Sequence, residues 1–203
     1  MAVIHQAHLV PTKLELIARW LPSQPWCPEG AGEPGAVGAY RFDDPDGEVG
    51  LEAHLVRVAG VLVHVPLAYR GAEQPGAADR LVGTMEHSVL GRRWVYDAGG
   101  DPVFARVLTD VLAGRARQAV LVDPAGAPLP APLVRIAAGE PGTGTLTGQV
   151  TTAAVGGARV GVVRVLDGTS AAPVGASTLV GTWPGQEGPA LLAWTAPTPA
   201  RTA

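Results

Sequence analysis

The segment from Gly83 to Asp97 holds the densest mixture of side chains that could do chemistry. Its first part, GTMEHS, places Glu86, His87 and Ser88 next to one another. An acid, an imidazole and a hydroxyl are the groups that general acid–base or nucleophilic catalysis uses. Such catalysis requires the groups to converge in space, whereas neighbours in a sequence point apart. We therefore assign no catalytic residue to this tract.

The second part of the segment, RRWVYD at 92–97, is rich in arginine and aromatic residues. Both types are enriched at the centres of protein interfaces. In a strand, Arg93, Val95 and Asp97 lie on one face, and Trp94 and Tyr96 lie on the other. Two interpretations stay open: a surface that binds a partner or ligand, or rings that fill the core beside charges that cap the next helix. The candidate binding residues are Glu86, His87, Arg92, Arg93, Trp94 and Tyr96.

Trp26 is a further candidate because it is the one large apolar side chain in the Pro- and Gly-rich segment 23–38. We expect this segment to be a loop. A ring in a loop could offer its face to a sugar. The alternative is core packing, since the chain has five Trp but only two Phe and three Tyr, and its core needs large rings.

Three other patterns predict neither a cofactor nor a metal site. The run GTGTLTG at 142–148 has the glycines of a phosphate loop but not its lysine, because Lys13 is the only lysine in the chain. The five histidines show no recognised ligand spacing. The acidic run 43–48 lacks the full residue series of a calcium loop. We expect ordinary turns at 142–148 and 43–48.

Two helices and a set of antiparallel strands must position these candidates. Thr12 and Glu15 form a capping box that opens a helix over 12–21, which Pro22 ends. Asp101 and Pro102 open a second helix over 101–113, before Gly114. Strands are predicted over 3–10, 36–42, 47–58, 61–69 and 92–97, and mixed structure over 81–90. Beyond residue 117 every apolar run is short and bounded by Gly or Pro, which predicts a β-rich half without a helix.

The composition favours a folded chain. It has 203 residues, a formal charge of −3 and 47% hydrophobic residues, whereas disordered chains are poor in apolar residues and carry high net charge. The cations are spread from Lys13 to Arg201, without the concentrated basic surface that nucleic acids require. The single cysteine cannot form an internal disulfide, and no apolar run approaches the length of a membrane span. We therefore expect a cytoplasmic protein with neither nucleic acid nor a membrane as partner.

The order of these features resembles a known family. The helix TKLELIARWL, the Pro-Trp loop, the tracts GTMEHS and RWVYD, and DPVF at the start of the second helix are together similar to the maltokinase N-terminal cap domain and its stand-alone actinobacterial relatives. The resemblance covers residues 1–116. It implies an α+β fold in which a curved antiparallel sheet packs on a helix in a cystatin-like arrangement. A β-rich region over 117–196, either separate or continuous with the first, and a disordered tail over 197–203 complete the expected organisation.

In maltokinases this cap precedes a kinase-like body that phosphorylates maltose with ATP and magnesium. These residues lack the phosphate-binding lysine and metal-binding acids of such a body, so the resemblance transfers no catalytic residue. Two functions stay open. The first is a non-catalytic module that binds a kinase or another enzyme of maltose, trehalose or glycogen metabolism. The second is a small-ligand or carbohydrate-handling protein with its own activity, in a groove between the sheet and its loops.

Overall fold

The computed structural model describes residues 2–3, 7–30, 32–155 and 157–198. In these ranges the chain forms two α-helices, two larger antiparallel sheets and one two-stranded parallel sheet. The strands are β1 (Ala2–Val3), β2 (Leu9–Val10), β3 (Gly35–Phe42), β4 (Gly50–Val58), β5 (Val61–Arg70), β6 (Leu81–His87), β7 (Gly91–Asp97), β8 (Leu121–Val122), β9 (Arg135–Ala138), β10 (Val150–Val155), β11 (Ala158–Val163), β12 (Ser177–Thr182) and β13 (Ala190–Pro197). Neither helix has the length and apolar character needed to cross a membrane.

Both helices begin where the sequence predicts. Helix α1 (Lys13–Trp20) has the predicted capping box, in which the amide of Thr12 donates to Glu15 and the amide of Glu15 donates to Thr12. Helix α2 (Pro102–Leu112) is capped by Asp101, whose carboxylate accepts from the first-turn amides. Each cap satisfies backbone donors that a helix end leaves unpaired. The helix predictions are therefore confirmed.

The first large sheet has the strand order β2-β6-β7-β5-β4-β3. Helix α1 packs on one face, where Leu16, Ile17 and Trp20 meet apolar side chains of β4, β5 and β7. The opposite face packs against α2 and the second large sheet, in a shared hydrophobic cluster. The second sheet has the order β10-β11-β13-β12-β9. Mixed helix and strand with a curled antiparallel sheet is thus the observed architecture.

The two sheets meet along β5. Strand β7 pairs with β5 only over Leu67–Arg70. Beside the earlier part of β5, the chain that continues from β11 takes the neighbouring position: the amide of His64 donates to the carbonyl of Arg164, and the amide of Leu166 donates to that of Leu62. The C-terminal half therefore supplies main-chain partners to the sheet of the N-terminal half.

Three sequence predictions need correction. Residues 81–87 form β6 rather than mixed structure, because a register shift between Leu81 and Gly83 interrupts the alternation of its side chains without ending the pairing with β7. Of the strand predicted over 3–10, residues 4–6 lie outside the described residues, and Leu9–Val10 form β2. Pro197, predicted to belong to a tail, is the last residue of β13; residues 199–203 lie outside the described residues.

Candidate functional site

The β6–β7 hairpin separates the predicted binding residues onto two faces of the sheet. Glu86 pairs with Arg92, and Met85 pairs with Arg93, across the two strands. Since directly paired residues share a face and successive residues alternate, Glu86, Arg92 and Trp94 lie on one face. His87 and Arg93 lie on the other, together with Met85. The structure therefore splits the predicted patch into two surfaces.

The first surface, which we call the hairpin strip, consists of Glu86, Arg92 and Trp94. Nε of Arg92 donates to Oε1 of Glu86 over 3.0 Å, and both side chains are exposed. The guanidinium carbon of Arg92 lies 5.9 Å from the centre of the half-buried Trp94 ring. At the tip of the hairpin, Val89 and Leu90 are exposed. The strip thus joins an ion pair, an indole ring and exposed apolar residues.

Two predicted candidates are buried and cannot bind a ligand through an exposed ring. Tyr96 is 1% exposed and its hydroxyl accepts from the amide of Gln74. Trp26 is 7% exposed; its ring lies edge-on to Trp20 at 5.6 Å, and the guanidinium of Arg164 covers it at 4.9 Å. The prediction of an exposed, sugar-stacking Trp26 is therefore wrong, because the ring fills the core beside α1.

The second surface belongs to a cleft of about 700 Å³, which we call the polar cleft. It lies between the start of α1, one end of the six-stranded sheet and the chain around β8. Its polar lining residues among those described are Lys13, Arg41, Asp43, Asp44, Glu48, Glu52, Tyr69, His87 and Arg93. Of the residues predicted from the sequence, His87 and Arg93 contribute to this cleft.

A hydrogen-bonded cluster forms one wall of the polar cleft. Nζ of Lys13 donates to Oε2 of Glu52, and the same ammonium lies 5.6 Å from the centre of the Tyr69 ring. Behind these residues, Nε2 of His54 lies 3.1 Å from the hydroxyl of Tyr69 and 3.7 Å from Oε2 of Glu52. The start of α1 and the neighbouring strands β4 and β5 thus bring together a carboxylate, an ammonium group, a phenol and an imidazole.

The charges in this cluster shift one another's pKa values. Burial alone would raise the pKa of Glu52, but the positive charges of His54, Lys13 and Arg41 outweigh it and lower that pKa to about 2. Burial lowers the pKa of His54, against the opposing effect of Glu52. Burial also raises the pKa of Tyr69. Glu52 is therefore an anion at neutral pH, and Tyr69 is a neutral phenol.

Two arginines that line the polar cleft have no carboxylate partner. Within the described part of the chain, the side chain of Arg41 has no hydrogen bond or carboxylate partner, and its Nε is buried. Arg93 donates from Nη2 to the carbonyl of Leu90 over 2.6 Å, and its Nε is also buried without an acceptor. Both arginines are half-buried, and in each the Nε atom is the one left without an acceptor.

The acidic run at 43–48 forms a turn rather than a calcium loop. The carboxylate of Asp44 accepts from the amides of Asp46, Glu48 and Val49. Nη2 of Arg106 donates to Asp44 and to Asp46, over 3.0 and 2.7 Å. Over the residues that the structure describes, no group of three or more His, Cys, Asp or Glu side chains could hold a metal ion.

Sequence reasoning missed five residues because they come from four separate elements: Lys13, Arg41, Glu52, His54 and Tyr69. One signal was available. In the run LEAHL at 51–55, Glu52 and His54 alternate with apolar residues, which places two titratable groups on the same face of one strand. A polar row within an otherwise apolar strand indicates a buried network or a binding surface.

Part of the sequence matches the model of a known protein family. Residues 20–101 match the family model of the maltokinase N-terminal cap domain. The match runs from the end of α1 through β7 to the cap of α2, and so includes the hairpin strip and most of the polar cleft, but less than half of the chain. No curated protein was found to match the sequence. Residues 20–101 are therefore similar to the maltokinase N-terminal cap domain.

Proposed function

We propose that this chain is an accessory module that binds an enzyme of maltose, trehalose or glycogen metabolism and performs no catalytic step itself. The cap match over residues 20–101 carries the proposal, since a maltokinase cap is by its name one part of a protein whose other part is a kinase. The packing of α1 on a curled antiparallel sheet is consistent with the cystatin-like arrangement expected of such a cap. The proposal places the chain in the cytoplasm, where its one cysteine, the free Cys27, stays reduced.

The hairpin strip is the surface to which we assign the partner. Aromatic and arginine side chains at the centre of an interface supply large contact area and a polar group together. Trp94 supplies the ring and Arg92 the guanidinium, while Val89 and Leu90 at the hairpin tip add exposed apolar area. Glu86 pairs with Arg92 in the free chain, beside the ring of Trp94.

Direct binding of purified proteins tests this proposal. The intact chain is immobilised, and the maltokinase and the enzymes that make and use trehalose and glycogen in the same cell are applied one at a time. We expect saturable binding of one of them. The combined variant Glu86→Ala, Arg92→Ala and Trp94→Ala should weaken it about tenfold or more. Arg135→Ala, an exposed arginine of β9, is the matched control and should bind like the wild type.

Circular dichroism melting of the same variants shows whether the triple variant is folded. A lack of binding to every enzyme in the panel would overturn the partner role. Unchanged binding by a folded triple variant would overturn the assignment to the hairpin strip. The non-catalytic part is tested separately: maltose-dependent consumption of ATP by the pure chain, above a heat-denatured sample, would contradict it.

A further inference from the structure

We infer that strand β10 (Val150–Val155) pairs with β10 of a second copy of this chain, in antiparallel orientation about a twofold axis, so that the two five-stranded sheets become continuous. This inference is independent of the partner role, because β10 lies outside residues 20–101 and belongs to the second large sheet. Strand β10 is an edge strand of that sheet. Edge strands present unpaired main-chain groups to which another strand can bind.

The other edge strands of the described residues are protected against pairing with another chain. Strands β1, β2 and β8 are two residues long. Strand β9 has four residues and carries the exposed Arg135. The carbonyl of Arg41 in β3 accepts from the amide of Ala119, so a later segment of the chain covers part of that edge. Short length, charge and cover each hinder association between sheet edges.

Strand β10 has no charged residue and no proline. Its sequence is VTTAAV, and its pairing with β11 runs over all six residues without a register shift. Valine and threonine favour extended backbone, and a strand without a bulge keeps its edge regular. Among the edge strands of the described ranges, β10 is therefore the longest that neither charge, proline nor a bulge protects.

The main-chain groups of Thr152 and Ala154 point away from β11. Gln149 lies opposite Arg164, and its carbonyl accepts from the amide of Arg164 over 2.7 Å. Bonded and non-bonded pairs alternate along an antiparallel ladder. Every second residue after Gln149 therefore bonds to β11, whereas the residues between them, Thr152 and Ala154 among them, direct their amides and carbonyls outward. In the described part of the chain these outward groups have no partner.

The second copy binds at the exposed end of β10. The side chains of Thr152 and Ala154 are exposed. By contrast, the hydroxyl of Thr151 already accepts a hydrogen bond from another part of the fold, and β10 also lies close to the 3₁₀ helix Ala98–Gly100. A twofold axis through Ala153 places Thr152 of each copy opposite Ala154 of the other. These two pairs form four main-chain hydrogen bonds.

The composition of this edge favours a copy of itself. A charged strand that pairs with itself brings like charges together, which is destabilising. Here the side chains that meet are the small, neutral Thr152 and Ala154. The nearest charge, that of Arg159, lies opposite Ala154 on β11 and is therefore one strand away from the contact. Because a twofold contact uses the same surface of both copies, each favourable contact is formed twice.

Sedimentation velocity and amide hydrogen exchange of the intact chain test this inference. We expect a reversible dimer to form as the concentration rises toward about 1 mM, since a contact of this size gives weak affinity. Over the same range, exchange of the Thr152 and Ala154 amides should slow, because these amides become hydrogen-bonded in the dimer. The amide of Ala153, which already bonds to β11, should be protected at every concentration.

Variants at the edge make the test specific. Thr152→Pro removes an outward amide that β11 does not use, so it should lower the association constant about tenfold or more and leave the chain folded. Thr152→Val keeps that amide and is the matched control, with wild-type association. Circular dichroism melting shows whether each variant is folded. If Thr152→Pro is not, Thr152→Glu combined with Ala154→Glu replaces it, because this variant places like charges opposite each other in the dimer.

Three results would overturn the inference. The first is a wild-type chain that stays monomeric at about 1 mM, beyond which an association is too weak to count as specific. The second is a Thr152 amide that exchanges at the same rate in monomer and dimer. The third is a folded edge variant, either Thr152→Pro or the double glutamate variant, that dimerises as well as the wild type.

Discussion

Nη2 of Arg164 lies 2.8 Å from Oδ1 and 2.6 Å from Oδ2 of Asp97, and both residues are buried. Asp97 ends β7, inside the region that matches the cap, whereas Arg164 follows β11 in the C-terminal half. Nε of Arg164 also donates to the hydroxyl of Thr151 over 2.9 Å, and its guanidinium covers the ring of Trp26. The side chain of Arg164 thus connects three parts of the fold: Trp26 beside α1, the end of β7, and strand β10 of the second sheet.

Removal of Asp97 should destabilise the protein strongly. Asp97→Ala leaves the Arg164 charge buried without a partner, which costs about 3–5 kcal/mol of unfolding free energy. Arg164→Met combined with Asp97→Ala should cost less than Asp97→Ala alone, because the uncompensated charge is then gone. Urea unfolding measures both, with Glu86→Ala, which removes an exposed ion pair, as the control with little effect. A smaller loss for Asp97→Ala than for the double variant would contradict this account.

Acid should destabilise the protein partly through His64. Nδ1 of the buried His64 donates to the carbonyl of Val163 over 3.0 Å, and Nε2 accepts from the hydroxyl of Tyr40 over 2.9 Å. Burial, and then the charge of Arg164, lower its pKa to about 3. Since the unfolded chain takes up this proton near pH 6.5 and the folded chain does not, stability is complete above pH 6.5 and falls as the pH drops toward 3.

The measurement for His64 is urea unfolding between pH 7.5 and 5, where carboxylates stay ionised. The uptake of one extra proton by the unfolded chain lowers the free energy of unfolding by up to about 1.4 kcal/mol per pH unit. His64→Gln should show a shallower decline than the wild type over this range. His8→Gln replaces an exposed histidine and serves as the control. Equal slopes for the wild type and His64→Gln would show that His64 takes no part.

The ion pair between Lys13 and Glu52 should be visible in the titration of Glu52. The charges of His54, Lys13 and Arg41 together hold this pKa at about 2, so their interaction with Glu52 stabilises the fold above about pH 4.5 and is lost as the pH falls toward 2. Lys13→Met removes one of the positive charges, so the pKa of Glu52 should rise. Carbon-13 NMR of labelled glutamate measures it. Arg19→Met, which removes a charge near Glu15, should leave the Glu52 titration unchanged.

Shortening a buried apolar side chain of α2 should lower the free energy of unfolding. Phe104 and Leu108 are at most 2% exposed, so replacing either with alanine should cost about 2–5 kcal/mol. The urea midpoint measures the loss. Leu133→Ala, at a position that is 60% exposed, is the control and should change the midpoint little. Midpoints near the wild type for both α2 variants would contradict the packing of this helix.

Local sequence chemistry accounts for the helices and for most of the first sheet. The capping box of Thr12 and Glu15 and the Asp-Pro start of α2 act over three or four residues, so they can be read from sequence alone. β6 was missed because the register shift near Gly83 breaks the period on which strand prediction depends. The strand order of the second sheet depends on distant contacts, such as Gly161 against the ring of Trp194, which no local pattern contains.

The candidate site was predictable only where its residues are adjacent in sequence. Glu86, Arg92 and Trp94 could be named together because they occupy one hairpin. Strand alternation separates Arg93 from Trp94 at the level of sequence, and the register of β6 on β7 adds that His87 lies on the same face as Arg93. The polar cleft was not predicted. Lys13, Arg41 and Glu52 converge because α1 packs on β4 and because β3 pairs with β4. Both contacts belong to the tertiary structure, so a local sequence pattern does not predict them.

The continuation of β11 along β5 has a consequence for cooperativity. The hydrogen bonds between His64 and Arg164 and between Leu166 and Leu62 belong to both halves of the chain, so neither half can open without breaking the main-chain pairing of the other. The two halves should therefore melt in one calorimetric transition, with equal calorimetric and van't Hoff enthalpies. In native-state hydrogen exchange, the amide of Leu166, which lies outside every named strand, should be protected as long as amides in the centre of β5.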